Sequence, residues 1–293
     1  MPRPPQRAVR QEHTHKTDPA EVLLSTWQRL DEEAFTVTAH WARDHPFYTD
    51  GTRYDPMLFA ESVRQSIPLI SHVGYAVPLG HHLIWRYFTF EVVPEAMRSA
   101  AQDTTVEMRI HCRNVVRRAG SLSALTLHVT AVREGRLLGT ATARFSSHSP
   151  AVYRRLRGGT PDAHDTLSMV DTPPAGLPAA RIGRNCAADA VLADADTTWL
   201  LRCDSSHPIY FDHAVDHAPG MLLLEAARQA ALASSPSPAN YPFRFESAFL
   251  RYVELTQECE VTAVPPEAGA AGHFHVTATQ NGHTAFSSTV TTL

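Results

Sequence analysis

Glu225 and Arg228 are the residues whose type and spacing best suit chemistry. They lie in Pro219-Gly220-Met221-Leu222-Leu223-Leu224-Glu225-Ala226-Ala227-Arg228-Gln229, a run whose other side chains are nearly all apolar. A proline opens it, at the position where a helix best tolerates proline. Apolar residues on every face predict a helix buried on all sides. A separation of three puts Glu225 and Arg228 on one face. An ionised carboxylate in such a place costs several kcal/mol unless it is paired, and its pKa is then open to tuning. Two roles fit: half of a structural ion pair, or a catalytic acid/base.

The pattern occurs twice. His45-Pro46-Phe47-Tyr48 precedes a run from Pro56 to Gln65, as His207-Pro208-Ile209-Tyr210 precedes the run from Gly220 to Gln229. Glu61 then matches Glu225, Arg64 matches Arg228 and Gln65 matches Gln229. Downstream, His128-Val129-Thr130-Ala131 recurs as His275-Val276-Thr277-Ala278, and Gly135 as Gly282. Matches in the same order predict a tandem duplication.

The elements that must position these residues follow from periodicity. Strands are expected at Val22–Leu24, Ala34–Ala39, Leu83–Val93, Thr105–Val115, Leu122–Arg133 and Leu137–Ser146. The first helix is expected from Asp55 or Pro56 to Ile67, stopped by Pro68. The second half repeats the order: a strand at Thr197–Cys203, a helix from Pro219 to about Ala233, then strands near Phe243–Leu255, Glu258–Ala263, Gly272–Thr279 and His283–Thr291. Glu134-Gly135 and Asn281-Gly282 read as hairpin turns. A long buried helix followed by an antiparallel meander, done twice, predicts an α+β tandem double hotdog: each repeat a central helix wrapped by an antiparallel sheet. The expected organisation is a flexible tail over 1–19, repeat one over 20–149, a linker with at most one short ordered piece over 150–180, and repeat two over 181–293.

Composition narrows the function. The chain has 293 residues, 43% of them hydrophobic, and a net charge of −4. Two ordinary domains fit, and nucleic acid is not indicated as the main partner. Lys16 is the only lysine, which excludes a Schiff-base lysine in the folded body. No apolar run reaches membrane-spanning length, and Met1–Thr17 has no signal-peptide core. Cys112, Cys186, Cys203 and Cys259 show no close pairing, as expected of a reduced cytoplasmic protein.

The helix motif from Pro219 to Ala226 resembles that of hotdog 3-hydroxyacyl-ACP dehydratases, with two departures. The loop between His207 and Pro219 is longer, and Arg228 has no counterpart there. The block from His207 to Met221, its first-repeat partner and the Lys16/Val22-Leu23-Leu24 opening resemble the A-factor biosynthesis hotdog (AfsA-type) family, over nearly the whole chain. That resemblance implies an acyltransferase joining a 3-oxoacyl group, from an acyl-carrier-protein thioester, to the hydroxyl of dihydroxyacetone phosphate. The product would be the precursor of a γ-butyrolactone, butenolide or furan signalling molecule. It implies activity in Glu61, Glu225 and Arg228, and neither a cofactor nor a metal.

Glu225 is expected to act as general base with a raised pKa, and Gly220 and Met221 to offer N–H groups to the developing oxyanion. With no Ser or Cys at the glutamate position, direct transfer is expected. Arg228 either orients Glu225 or clamps the acceptor phosphate. Arg64 and Gln229 join the candidate substrate-binding residues. Glu61 and Arg64 form a second site, line the first, or are a relic of duplication. His45, His207, His213 and His217 shape loops, with His207 or His213 reaching substrate. Asp212-His213 with Asp216-His217 invites zinc, yet the spacing fits no standard site. Arg181, Arg184 and Lys16 are candidates for phosphate or carrier-protein contact, with solvated surface charge the favoured expectation. Besides the carrier protein and the phosphate, the expected partner is none or a second copy: a pseudo-dimeric monomer or a homodimer. The other readings are a thioester dehydratase or thioesterase, and a non-catalytic acyl- or lactone-binding module.

Overall fold

The computed structural model describes residues 5–235, 240–265 and 272–293. The chain divides into two compact units, 1–159 and 160–293.

In the first unit, the strands β1 (Arg7–Ala8), β2 (Leu24–Arg29), β3 (Ala34–Trp41), β4 (His82–Val92), β5 (Thr104–Arg118), β6 (Ser121–Arg133) and β7 (Arg136–His148) surround α1 (Pro56–Tyr75). Their order is β1-β2-β3-β5-β6-β7-β4, every pair antiparallel. Alternating burial along β5, with Val106, Met108, Ile110 and Cys112 inward, turns one sheet face onto the helix. Glu134 and Gly135 both take positive φ, 52° and 75°, as a tight hairpin turn requires.

α1 does not stop at Ile67 as the sequence suggests. It runs through Pro68 to Tyr75, and Ala76 closes it in a left-handed conformation. An interior proline costs roughly 3 kcal/mol. Ile67, Leu69 and Ile70 are buried around it, each worth about 1.5–3 kcal/mol, so packing outweighs the break.

From Arg7 onward, the stretch expected to be a mobile tail is docked. Arg7 pairs with Trp27 across β1 and β2, Thr14 is fully buried, and Lys16 is only 7% exposed. Arg64 Nη2 donates to Thr14 O at 3.1 Å, and the Nε2 atoms of His15 and His72 lie 2.9 Å apart. The strand expected at Val22–Leu24 begins only at Leu24, because Val22 ends a short 3-10 turn. After β7 comes α2 (Pro150–Arg157), and the second unit opens with α3 (Ala163–Ser168), so the stretch expected as a linker carries two short helices.

In the second unit, β8 (Leu192–Ala195) and β9 (Thr198–Leu201) precede α4 (Gly220–Ala233). β10 (Pro242–Phe249), β11 (Glu260–Val264), β12 (His273–Gln280) and β13 (His283–Thr292) follow. The order is β8-β9-β11-β12-β13-β10. It repeats β2-β3-β5-β6-β7-β4 strand for strand, which is the duplication in three dimensions. β8 is a strand the sequence does not predict. Pro219 sits one place ahead of α4 rather than inside it. Among the described residues, no helix is long and apolar enough to cross a membrane.

Candidate active site

Glu225 lies on the second turn of α4 and is fully buried. Four donors reach its two oxygens. Arg184 Nε donates to Oε1 at 2.7 Å and Nη2 to Oε2 at 2.5 Å. Gln229 Nε2 donates to Oε1 at 2.8 Å, and Arg228 Nη1 to the same atom at 3.3 Å. The expectation that Arg184 is a solvated charge is therefore wrong: it is the nearest partner of Glu225. Arg181 does remain outside, pairing with Asp194 at 3.3 Å, with both side chains exposed.

Arg228 is anchored as well. Its Nη1 donates to Ile182 O at 3.0 Å and its Nη2 to Gly183 O at 2.8 Å. Gly183 has φ +62°, and a Cβ there would stand 2.8 Å from Leu232 Cδ1 and 3.4 Å from Arg228 Nη2. Only glycine meets both conditions without strain.

The expected raised pKa of Glu225 is also overturned. Burial alone would push it up, but the charges of Arg184 and Arg228, with the bonds from Arg184 and Gln229, hold it below the ordinary glutamate value. Glu225 is thus an ionised, fully hydrogen-bonded carboxylate.

The first unit builds the same centre. Arg64 Nε donates to Glu61 Oε2 at 2.8 Å, and Gln65 Nε2 to Oε1 at 2.8 Å. Gln65 also donates to Glu21 O and accepts from Leu23 N. Gln229 likewise donates to Asp189 O and accepts from Val191 N. These partners keep a constant separation of 168 along the chain (21 to 189, 23 to 191), and the same step carries Lys16 to Arg184. Lys16 is the corresponding cation: against the upward push of burial, its charge and that of Arg64 lower the pKa of Glu61.

The two helix starts differ. Asp55 Oδ1 accepts Met57 N at 2.8 Å, and Pro56 has no N–H, so the start of α1 offers a ligand nothing. In α4 Pro219 caps with no side-chain bond, and its carbonyl takes the N–H groups of Leu222 and Leu223. Gly220 and Met221 carry the N–H groups that helix geometry leaves over.

His207 Nδ1 accepts the N–H of Ile209 at 3.3 Å, and its Nε2 meets Asp189 Oδ1 at 3.3 Å. His45 repeats the arrangement with Phe47, Tyr48 and Glu21. These two histidines order the loops ahead of the helices. His213 has a 49% exposed side chain and pairs with Asp212 at 3.5 Å. His217 pairs with Asp216 at 2.7 Å. Among the described residues, no three His, Cys, Asp or Glu side chains converge in metal-binding geometry.

The model of the A-factor biosynthesis hotdog domain matches residues 1–149 and 166–293. A 2-oxo-3-(phosphooxy)propyl 3-oxoalkanoate synthase of Streptomyces virginiae is 37% identical, the match covering 95% of each chain. One from Streptomyces coelicolor is 38% identical over 94% of this chain and 88% of its own. Among solved structures, an acyl-ACP thioesterase from Bacteroides thetaiotaomicron shares the fold, with a TM-score of 0.52 and 14% identity over 88% of this chain and 98% of that one. The chain belongs to the A-factor biosynthesis hotdog family.

Proposed function

We propose that this protein is an acyltransferase that makes a 2-oxo-3-(phosphooxy)propyl 3-oxoalkanoate, the ester of a 3-oxo acid with dihydroxyacetone phosphate. The donor is a 3-oxoacyl thioester on an acyl-carrier protein. The setting is the reducing cytoplasm, in keeping with four free cysteines. The observation that carries this reading is Glu225 in α4: a buried, ionised carboxylate five residues, roughly 7–8 Å, along the axis from an uncapped helix start.

In this reading the thioester carbonyl oxygen takes the N–H groups of Gly220 and Met221, where the helix dipole favours negative charge. The acceptor hydroxyl enters at Oε1 of Glu225. The 3.3 Å contact from Arg228 is the longest of that carboxylate's four bonds and the one to give way. The hydroxyl oxygen attacks the thioester carbon, its proton passes to Glu225, the C–S bond breaks, and the leaving thiolate takes that proton. A carboxylate with a lowered pKa is a weak base, so the proton moves late, as C–O bond formation acidifies the hydroxyl. Arg228, released from Oε1, turns toward the acceptor phosphate.

The test is mass spectrometry of the protein incubated with a 3-oxoacyl thioester and dihydroxyacetone phosphate. The ester phosphate is expected. Free 3-oxo acid alone would make the protein a thioesterase, and bound thioester with no product a binding module.

A further inference from the structure

Charge is divided unevenly along this chain. Residues 1–159 carry 20 Lys and Arg against 15 Asp and Glu, a net +5, while residues 160–293 carry 6 against 15, a net −9. The excess is concentrated: between Glu107 and Asp162 there are ten arginines and one acidic residue, Glu134. Glu134 lies in the β6–β7 hairpin, at one end of the first sheet.

Arg133 and Arg136 flank Glu134 at its end of the sheet, whereas the other end carries arginines and no acidic residue of this segment. There Arg117 and Arg118 pair with Leu122 and Ser121, Ala124 pairs with Ser146, and His148 pairs with His82. The exposed Arg86 and Arg118 act electrostatically on His148. α2 leaves from this end, two residues after His148. Its inner face is fixed by Tyr153, whose ring stacks on His82 with centroids 3.6 Å apart. Its outer face presents Val152 and Leu156, 46% and 55% exposed, with Arg155 between them and Arg154 beside them. Positions i, i+3 and i+4 share one helix face. The result is two aliphatic side chains framed by arginines.

We propose that this face of α2, with Arg86, Arg117 and Arg118 around it, docks the acyl-carrier protein that delivers the donor. The inference rests on the reading of the donor given above. A carrier protein is a small acidic helical partner. Its charge complements a basic patch, which speeds and orients encounter, while a small apolar centre gives the contact its hold. Neither feature serves a free thioester.

The experiment compares two donors, the 3-oxoacyl group on holo-carrier protein and the same group on pantetheine. The variant is Arg154→Glu, Arg155→Glu and Leu156→Ser together; Arg136→Glu, exposed at the opposite end of the sheet, is the control. For the triple variant, KM for the carrier-borne donor is expected to rise at least tenfold. KM for the pantetheine donor should stay within twofold, and Arg136→Glu should change neither. Added salt should raise the wild-type carrier KM and leave that of the variant nearly flat. An unchanged carrier KM, or equal damage with both donors, overturns the docking site. If wild type transfers from neither donor, the functional reading fails instead. Docking is then judged by direct binding of unacylated holo-carrier protein: tenfold weaker binding by the variant supports it, and equal binding, or equally tight binding of duplex DNA to wild type, overturns it.

Discussion

Arg184 meets Glu225 with two nitrogens on two oxygens, Nε on Oε1 at 2.7 Å and Nη2 on Oε2 at 2.5 Å, from a loop 41 residues earlier in the chain. Removing one partner of a buried pair leaves the other charge uncompensated, at about 3–5 kcal/mol. Arg184→Ala should therefore lose about that much stability in denaturant unfolding. Arg184→Lys should lose markedly less, since Lys16 already fills the equivalent place beside Glu61. An alanine variant as stable as wild type would deny the pair any structural role.

Glu61 and Glu225 both have pKa values lowered in the folded state. A depressed carboxylate gives stability that is complete above its unfolded value, near 4.5, and is lost as pH falls toward the folded value. The stability difference between wild type and Glu225→Gln should be constant above about pH 5 and shrink below it. A difference that grows on acidification would reverse the sign of the shift.

Gly183 and Gly158 make a matched pair, with φ +62° and +61°. A Cβ at Gly158 would meet nothing within 4 Å, whereas at Gly183 it would meet Leu232 and Arg228. Gly158→Ala should cost only the left-handed penalty of about 1–2 kcal/mol. Gly183→Ala should cost more and raise KM for the acceptor as well, because it displaces the carbonyl that holds Arg228. Equal effects of the two substitutions on stability and KM would remove Gly183 from the site.

Arg228→Lys keeps the charge and loses the planar fork. Steady-state kinetics should show a raised KM for dihydroxyacetone phosphate and little change for the thioester. With unphosphorylated dihydroxyacetone, the variant and wild type should differ far less. An equal difference with both acceptors would leave Arg228 serving Glu225 alone.

The two helices, the hairpins at Glu134-Gly135 and Asn281-Gly282, and the duplication were legible because each rests on local pattern: apolar periodicity, turn chemistry, repeated order. Arg184 and Lys16 were not, since an arginine in Arg181-Ile182-Gly183-Arg184-Asn185 carries no periodic signal and its burial depends on a contact 41 residues away. A signal did exist. Lys16 lies six residues before Val22 and Arg184 six before Ala190, so extending the repeat upstream pairs the two cations. The lowered pKa of Glu225 is illegible for the same reason, since it depends first on the charge of Arg184 and only then on that of Arg228. Pro68 inside α1 shows the opposite limit: a strong local stop signal overridden by tertiary packing.

The central claim is that one carboxylate, Glu225, carries the reaction, while Glu61 holds an equivalent fold centre whose helix start is closed by Asp55 and Pro56. The direct test is the transfer rate of Glu225→Gln and Glu61→Gln, side by side, with folding of each confirmed by circular dichroism. Glu225→Gln should lose about 10²–10⁴-fold in kcat, and Glu61→Gln should stay within about tenfold of wild type, well short of a lost general base. A folded Glu225→Gln that keeps most of its rate, or a Glu61→Gln that loses as much, would contradict it.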